Sequence, residues 1–164
     1  MEKETYLTFL MDKDLFAVNV INVLEVLEQQ QITRVPKAPE YIMGITNFRG
    51  EILPVFSTRH KFNLPIKEEM GKQYVIVYDI SQGEQNKLVS ATADGVKDVI
   101  EIGADEIKPV PEMGLNYDSR FISGVIEKNG RFILMIKPEK LFTTADIELN
   151  ESIISQEKAA KQSK

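Results

Sequence analysis

The 164-residue chain has no cysteine, no tryptophan and a single histidine, His60. Without cysteine there is no disulfide framework, no thiolate metal site and no cysteine nucleophile. One imidazole excludes a histidine-built metal centre, and any Ser-His-Asp arrangement would have to use His60. Unbroken apolar runs reach only about five residues, so no segment is long enough to span a bilayer as a helix. Lys and Arg never cluster, and 20 of them stand against 25 Asp and Glu for a net charge of −5. That balance disfavours general nucleic-acid binding, which needs clustered cations to neutralise phosphates. The start, Met1-Glu2-Lys3-Glu4-Thr5, is charged and lacks the apolar stretch and small-residue cleavage site of a secretory signal, so a soluble cytoplasmic protein is expected.

Apolar residues make up 43% of the chain, enough for a real core in one domain or two very small ones. Their spacing is short and strand-like. Tyr6–Met11 and Leu15–Val18 flank the polar turn Asp12-Lys13-Asp14 and read as a first hairpin. Ile21 to Leu24 reads as one helical turn, and Val26 to Val35 as an extended segment stopped by Pro36 and Pro39. Pro39 to Gly44, with proline early and glycine late, reads as a short helix. Ile45–Phe48 and Ile52–Phe56 form a second hairpin about Arg49-Gly50-Glu51. Further strands are expected at Tyr74–Ile80, Lys87–Ala93 and Val96–Ile102, and Ile122–Glu127 pairs with Arg131–Ile136 across Asn129-Gly130, a strong hairpin signal. Pro138 to Phe142 starts a helix. From Ile147 a docked helix is expected, fraying into a polar tail after Gln156.

The two halves resemble one another. Val23-Leu24-Glu25-Val26-Leu27-Glu28 recurs as Val96-Lys97-Asp98-Val99-Ile100-Glu101, and Ile32-Thr33-Arg34-Val35-Pro36 recurs as Ile107-Lys108-Pro109-Val110-Pro111. Gly44-Ile45 recurs as Gly124-Val125, and Gly50, Leu53, Val55 and Phe62 recur as Gly130, Ile133, Met135 and Phe142, always in the same order. A duplicated all-β unit follows. Each copy offers about five short strands, too few for a sandwich but enough for a small closed barrel. Two fused barrels are expected to share a hydrophobic interface, partly covered by the C-terminal helix, with the groove between them as the binding site.

Little here suggests catalysis. His60 lies between Arg59 and Lys61 with no nucleophile nearby, and reads as an exposed loop residue. Glu68-Glu69, Asp105-Glu106 and Glu25 with Glu28 sit where acids ordinarily keep surfaces soluble. No Gly-rich phosphate loop and no zinc spacing is present. Phe48-Arg49 beside Arg59 keeps open the alternative of a small-barrel single-stranded nucleic-acid binder, and a hydrolase using His60 with a carboxylate is a second rival. Ile32, Val35, Tyr41, Ile42, Met43 and Val96 exceed what two small interiors must absorb; together they point to a protein that binds proteins.

The string from Val35 to Val55, VPKAPEYIMGITNFRGEILPV, resembles the signature of the CheW family, the bacterial chemotaxis coupling proteins. Val23-Leu24-Glu25-Val26 before it and Asp94-Gly95-Val96-Lys97-Asp98-Val99 in the second half resemble further family motifs, and the likeness runs from Tyr6 to about Phe142. It implies a mainly β fold of two pseudo-repeated five-stranded SH3-like barrels with a C-terminal helix. The expected layout is a coupling domain over 1–142, with a first barrel at about 15–65 and a second at about 70–142, exchange of N-terminal strands being possible, and a helix and tail over 143–164.

The resemblance implies a non-enzymatic, cofactor-free adaptor. Its partners would be the cytoplasmic tips of methyl-accepting chemoreceptors and the regulatory domain of the histidine kinase CheA, and it would sit in membrane-associated receptor arrays. Carried onto this sequence, the contact residues are Val23, Glu25, Gly44, Asn47, Arg49, Gly50, Gly95, Val96 and Gly124. Gly44 and Gly50 would let the backbone turn sharply or approach a partner helix. Arg49 would present a planar donor fork to carboxylates or carbonyls, or cap Glu25 within the chain. Two departures stand out. Phe56-Ser57-Thr58-Arg59 replaces a pattern with an acid before Arg, which removes an expected carboxylate partner of Arg59, and Ser90 stands where the family tends to have glycine.

Overall fold

The computed structural model describes residues 2–28, 30–65, 73–81, 87–110 and 120–162. Ten strands lie among them: β1 (Lys3–Met11), β2 (Asp14–Asn19), β3 (Val23–Leu27), β4 (Ile42–Phe48), β5 (Glu51–Phe56), β6 (Tyr74–Asp79), β7 (Leu88–Ala93), β8 (Gly95–Gly103), β9 (Ile122–Lys128) and β10 (Arg131–Ile136). Helices are α1 (Thr58–Lys61), α2 (Pro138–Leu141) and α3 (Thr144–Gln162). β-Branched and aromatic residues dominate strands such as Tyr-Val-Ile-Val-Tyr-Asp of β6, whose four central residues are buried on both faces.

The strands form two five-stranded sheets, ordered β8-β1-β2-β10-β9 and β3-β6-β7-β5-β4. The two orders superimpose strand for strand, and each contains one parallel pair at the same place, β10 with β2 and β5 with β7. Each sheet closes on itself through one isolated bridge, Thr33 with Ile45 in one and Lys108 with Val125 in the other. The reciprocal N–H···O bonds measure 2.8 and 2.9 Å at both seams. Closure satisfies the backbone groups that an open edge would leave unpaired.

The duplication and the barrels are out of phase. β1 and β2 join β8, β9 and β10, whereas β6 and β7 join β3, β4 and β5. A contiguous division near residues 65–70 therefore gives way to an interleaved one, in which each repeat gives three strands to one barrel and two to the other. The physical cause is that the Asp12-Lys13 turn holds β1 and β2 together as a unit while their outer edges pair with β8 and β10, far along the chain.

This interleaving ties the halves into one core. A single hydrophobic cluster runs through Phe9, Phe16 and Val18 of one sheet and Phe56, Ile76 and Tyr78 of the other. A smaller cluster around Ala17, Ile126 and Met135 belongs to the first sheet, and one of Phe48, Leu53 and Val77 to the second. Phe62 stacks on Phe121 at a centroid distance of 4.8 Å and packs on Phe16, tilted by 36°, at 4.6 Å, contacts worth about 0.5–1.5 kcal/mol each beyond area burial. α3 seals one side. Thr143 and Asp146 cap its start reciprocally, the Thr143 N–H donating to Asp146 Oδ2 at 2.8 Å and the Asp146 N–H to Thr143 Oγ1 at 3.1 Å. Asn150 Nδ2 donates to the Leu88 carbonyl at 3.0 Å, and Ile153 is buried.

Three local expectations are corrected. Pro39 to Gly44 is not a helix: a turn at Glu40-Tyr41 leads into β4, because Ile42 and Gly44 pair with Phe56 and Val55. The helical turn expected at Ile21–Leu24 is a 3-10 turn over Val20–Asn22, with Val23 already in a strand. α3 continues to Gln162 instead of fraying at Gln156, since Glu157, Lys158, Ala159, Ala160 and Lys161 are all good helix formers.

Candidate functional site

The β4–β5 hairpin turns in two residues, Arg49 at φ +52° and Gly50 at φ +83°. Two consecutive positive φ values mark the type I′ turn, whose twist matches the flanking strands. The equivalent β9–β10 turn uses Asn129 and Gly130, at +53° and +74°. Asparagine tolerates that conformation; a residue such as Arg pays up to about 1–2 kcal/mol for it. Arg49 therefore occupies a strained place where the other barrel carries the residue best suited to the turn. Asn47 braces the turn, its Oδ1 accepting from the Gly50 N–H at 3.0 Å.

The Arg49 side chain is 62% exposed. Its guanidinium lies 4.9 Å over the Phe48 ring, and its Nη2 is 3.8 Å from Glu25 Oε1 on β3. That separation is an ion pair but too long for a hydrogen bond; between groups this exposed it contributes at most about 1 kcal/mol. The pair orients the fork without consuming its donors. Beside Glu25, Val23 is half-buried against the shared core, while Ile21 is 79% exposed and Val20 and Leu24 are exposed as well. Of this apolar rim only Val23 was singled out in the sequence; the signal for the rest is that the 3-10 turn Val20-Ile21-Asn22 carries two apolar residues.

Gly44 and Gly124 have a different place. Both are buried, and both lie at the seams that close the barrels. A Cβ on Gly44 would lie 2.2 Å from the Thr33 carbonyl oxygen, and one on Gly124 would lie 2.6 Å from Ile107 Cγ2 and 3.2 Å from the Lys108 oxygen. These two glycines admit the chain's own closing segment, so they belong to the barrel wall and not to an exposed groove. Gly95 and Val96 open β8, opposite Leu10 and Phe9. A Cβ on Gly95 would meet Leu10 at an ordinary 3.4 Å. Of the apolar residues that pointed to a partner, Ile42 is core, and Tyr41 packs on Phe56 at 6.2 Å between centroids.

Arg59 is the residue whose environment departs most from expectation. It is buried, and its Nε and Nη2 grip Asp94 at 3.2 and 2.5 Å. Nη2 also bonds Asp12, and Nη1 donates to the Pro65 carbonyl at 3.0 Å. Burial works against its charge, but the hydrogen bonds to Asp12 and Asp94 prevail and hold the guanidinium above its ordinary value. The carboxylate missing before Arg59 is thus supplied by two others, from the β1–β2 turn and from the residue preceding Gly95. The triad links the barrels next to the Gly95-Val96 segment. Ser90 is also accommodated, its hydroxyl donating to the Pro54 carbonyl at 2.7 Å across the parallel β5–β7 pair. Ser57 caps α1, its Oγ accepting from the His60 N–H at 3.2 Å.

His60 is exposed on α1, its ring 5.4 Å from that of Tyr41. Among the described residues there is no group of three His, Cys, Asp or Glu able to hold a metal, and no helix long and apolar enough to cross a membrane. What the surface around Arg49 offers is a donor fork, a carboxylate and an apolar rim, the chemistry of protein recognition.

The model of the CheW-like domain family matches residues 5–146. A chemotaxis protein CheW of Klebsiella aerogenes is 27% identical over 155 residues, covering 92% of this chain and 88% of that protein. A chemotaxis protein CheW of Bacillus subtilis is 29% identical over 134 residues, covering 81% and 83%. The crystal structure of the scaffolding protein TtCheW from Thermoanaerobacter tengcongensis superimposes with a TM-score of 0.75 at 27% identity, over 88% of this chain and 96% of that one.

Proposed function

The chain belongs to the CheW-like domain family, and on that premise we propose that it is a chemotaxis adaptor joining chemoreceptor cytoplasmic tips to the histidine kinase CheA beneath a membrane-associated array. The adaptor role itself follows from the family, the naming of its relatives as chemotaxis proteins CheW, and the scaffolding protein that shares its fold. The nucleic-acid alternative gains nothing from these likenesses or from the net charge of −5.

The observation that carries the surface assignment is Arg49, strained in a left-handed turn position and still 62% exposed. Backbone strain persists where the side chain is needed. A receptor tip is a helical hairpin in this reading; the apolar rim of Ile21, Val23 and Leu24 packs against one helix, and Arg49 with Glu25 fixes register through charge pairs. Binding chemistry of this kind uses no catalytic group, and coupling arises because receptor and kinase bind together, each biasing the state of the other.

Co-sedimentation with receptor cytoplasmic fragments tests the surface. Arg49→Glu and Ile21→Glu should each reduce the bound fraction severalfold, and Glu127→Lys, exposed on β9 in the other barrel, should not. Equal retention of all three would remove this surface from the receptor contact.

A further inference from the structure

The two hairpins that hold corresponding places in the repeat differ at one backbone nitrogen. In the β4–β5 turn the Gly50 N–H donates to Asn47 Oδ1 at 3.0 Å. The place of Asn47, opposite Ile52, is taken in the β9–β10 hairpin by Glu127, opposite Phe132. Among the described residues neither the Gly130 N–H nor the Asn129 side chain makes a hydrogen bond. Both residues are exposed, and a Cβ built on Gly130 would have nothing within 4 Å. The Asn129 carboxamide thus stands next to an amide nitrogen that no bond ties and no side chain shields. Every other asparagine in the chain precedes a residue with a side chain, as in Asn47-Phe48, Asn63-Leu64 and Asn150-Glu151. Asp94, the one aspartate before a glycine, has both carboxylate oxygens held, by Arg59 and by the Asp12 N–H.

We propose that Asn129 is a site of self-modification, losing its amide through a cyclic imide formed with Gly130. The Gly130 nitrogen gives its proton to hydroxide and bonds to Asn129 Cγ; the Cγ–Nδ2 bond breaks and ammonia leaves. Water then opens the imide at either carbonyl, giving aspartate, or isoaspartate in which the main chain runs through Cγ. One water is consumed, one ammonia is released, and nothing is oxidised or reduced. Ring closure turns the peptide plane between the two residues out of its type I′ orientation, so the reaction passes through brief opening of the hairpin tip, a small cost where nothing packs over it. Each product adds a negative charge between Lys128 and Arg131 in the chain, and isoaspartate adds a main-chain methylene that a two-residue turn does not absorb. The change falls on the second barrel and leaves the Arg49 turn intact, so the proposal is independent of the adaptor reading.

The test is peptide mapping of the full chain by mass spectrometry during incubation at neutral and mildly alkaline pH, with fragmentation that distinguishes the two isomers. Asn129 should be lost several times faster than any other asparagine, to both aspartate and isoaspartate, and faster as pH rises, while Asp94 keeps its ordinary linkage. Glu127→Asn sets beside Gly130 the acceptor that Asn47 gives Gly50, and should slow the loss of Asn129 severalfold. Arg49→Asn puts an asparagine before the tethered Gly50, and should lose it severalfold more slowly than the parent loses Asn129. Amide spectra of the hairpins confirm that both variants are folded. Survival of Asn129 alongside the other asparagines, loss without isoaspartate, or loss in Glu127→Asn and at the new asparagine of Arg49→Asn as fast as at Asn129 of the parent would each overturn the proposal.

Discussion

Gly44 and Gly124 occupy the same seam in two interleaved barrels, each facing the residue whose backbone closes the ring, Thr33 in one and Lys108 in the other. They differ in what a side chain would strike. At Gly44 it is backbone at 2.2 Å with φ at +150°, and at Gly124 it is first the methyl of Ile107 at 2.6 Å.

Alanine should therefore be far costlier at the first seam. Gly44→Ala combines an unfavourable φ with a clash that only backbone movement relieves, and should destabilise by about 3 kcal/mol or more. Gly124→Ala needs a shift of Ile107 and should cost about 1–2 kcal/mol. Urea unfolding of the two variants measures the difference; equal costs would mean that the backbone clash at Gly44 is no harder to relieve than the methyl contact at Gly124.

Arg49→Asn should separate stability from coupling. Asparagine relieves the left-handed strain but gives up the contact with Phe48 and the exposed pair with Glu25, effects of opposite sign that leave stability within about 1 kcal/mol of the parent. Receptor binding should nevertheless fall as it does in Arg49→Glu. A large loss of stability would give Arg49 a structural role instead.

Removing the Arg59 guanidinium leaves Asp12 and Asp94 facing one another without their cation. Arg59→Ala should destabilise by about 2–4 kcal/mol, and adding Asp94→Asn should recover part of that loss by relieving the repulsion. Asp12→Asn alone should cost about 1 kcal/mol, because Asp12 is one-third exposed. Denaturant curves of the four proteins test the ordering.

Tyr78 is fully buried on β6, and its hydroxyl has no hydrogen-bond partner among the described residues. Burial pushes its phenol far up from the ordinary tyrosine range. Tyr78→Phe removes an unsatisfied polar atom at nearly constant volume and should stabilise by about 1 kcal/mol, read as a raised midpoint in urea. A loss of similar size would show that the hydroxyl is bonded in solution.

Glu106 is held below the ordinary glutamate range, first by the hydrogen bond from Lys128, whose Nζ is 3.0 Å away, and next by the Gly103 N–H. A depressed folded-state value means that the contribution is fully present above the unfolded value and disappears as pH falls through the folded one. The stability gap between the parent and Lys128→Ala should accordingly shrink on acidification. A gap that grew toward low pH would contradict the assignment.

Much of the architecture could be read from residues. Asn129-Gly130 and Arg49-Gly50 announced their hairpins, and the recurrence of Thr33 and Ile45 as Lys108 and Val125 is the pair of seams itself. What stayed hidden is non-local. An offset between repeats says that two segments are alike, not which barrel each will join, and β1 with β2 finds β8 and β10 across most of the chain. Arg59 likewise finds Asp94 and Asp12 at separations of 35 and 47 residues, which no local pattern encodes. Among the site residues, the pairing of Glu25 with Arg49 was readable as one alternative for the fork. The wall role of Gly44 was not, because the same glycine could serve a close approach of a partner or of the chain itself.

The central claim, that this chain couples receptors to a kinase through the surface around Arg49, is tested most directly by CheA autophosphorylation with receptor cytoplasmic fragments, in the absence and presence of the parent protein or Arg49→Glu. The account predicts strong receptor-dependent stimulation by the parent, lost in Arg49→Glu. A folded parent that leaves the kinase unaffected by receptors, or an Arg49→Glu variant that stimulates equally well, would contradict it.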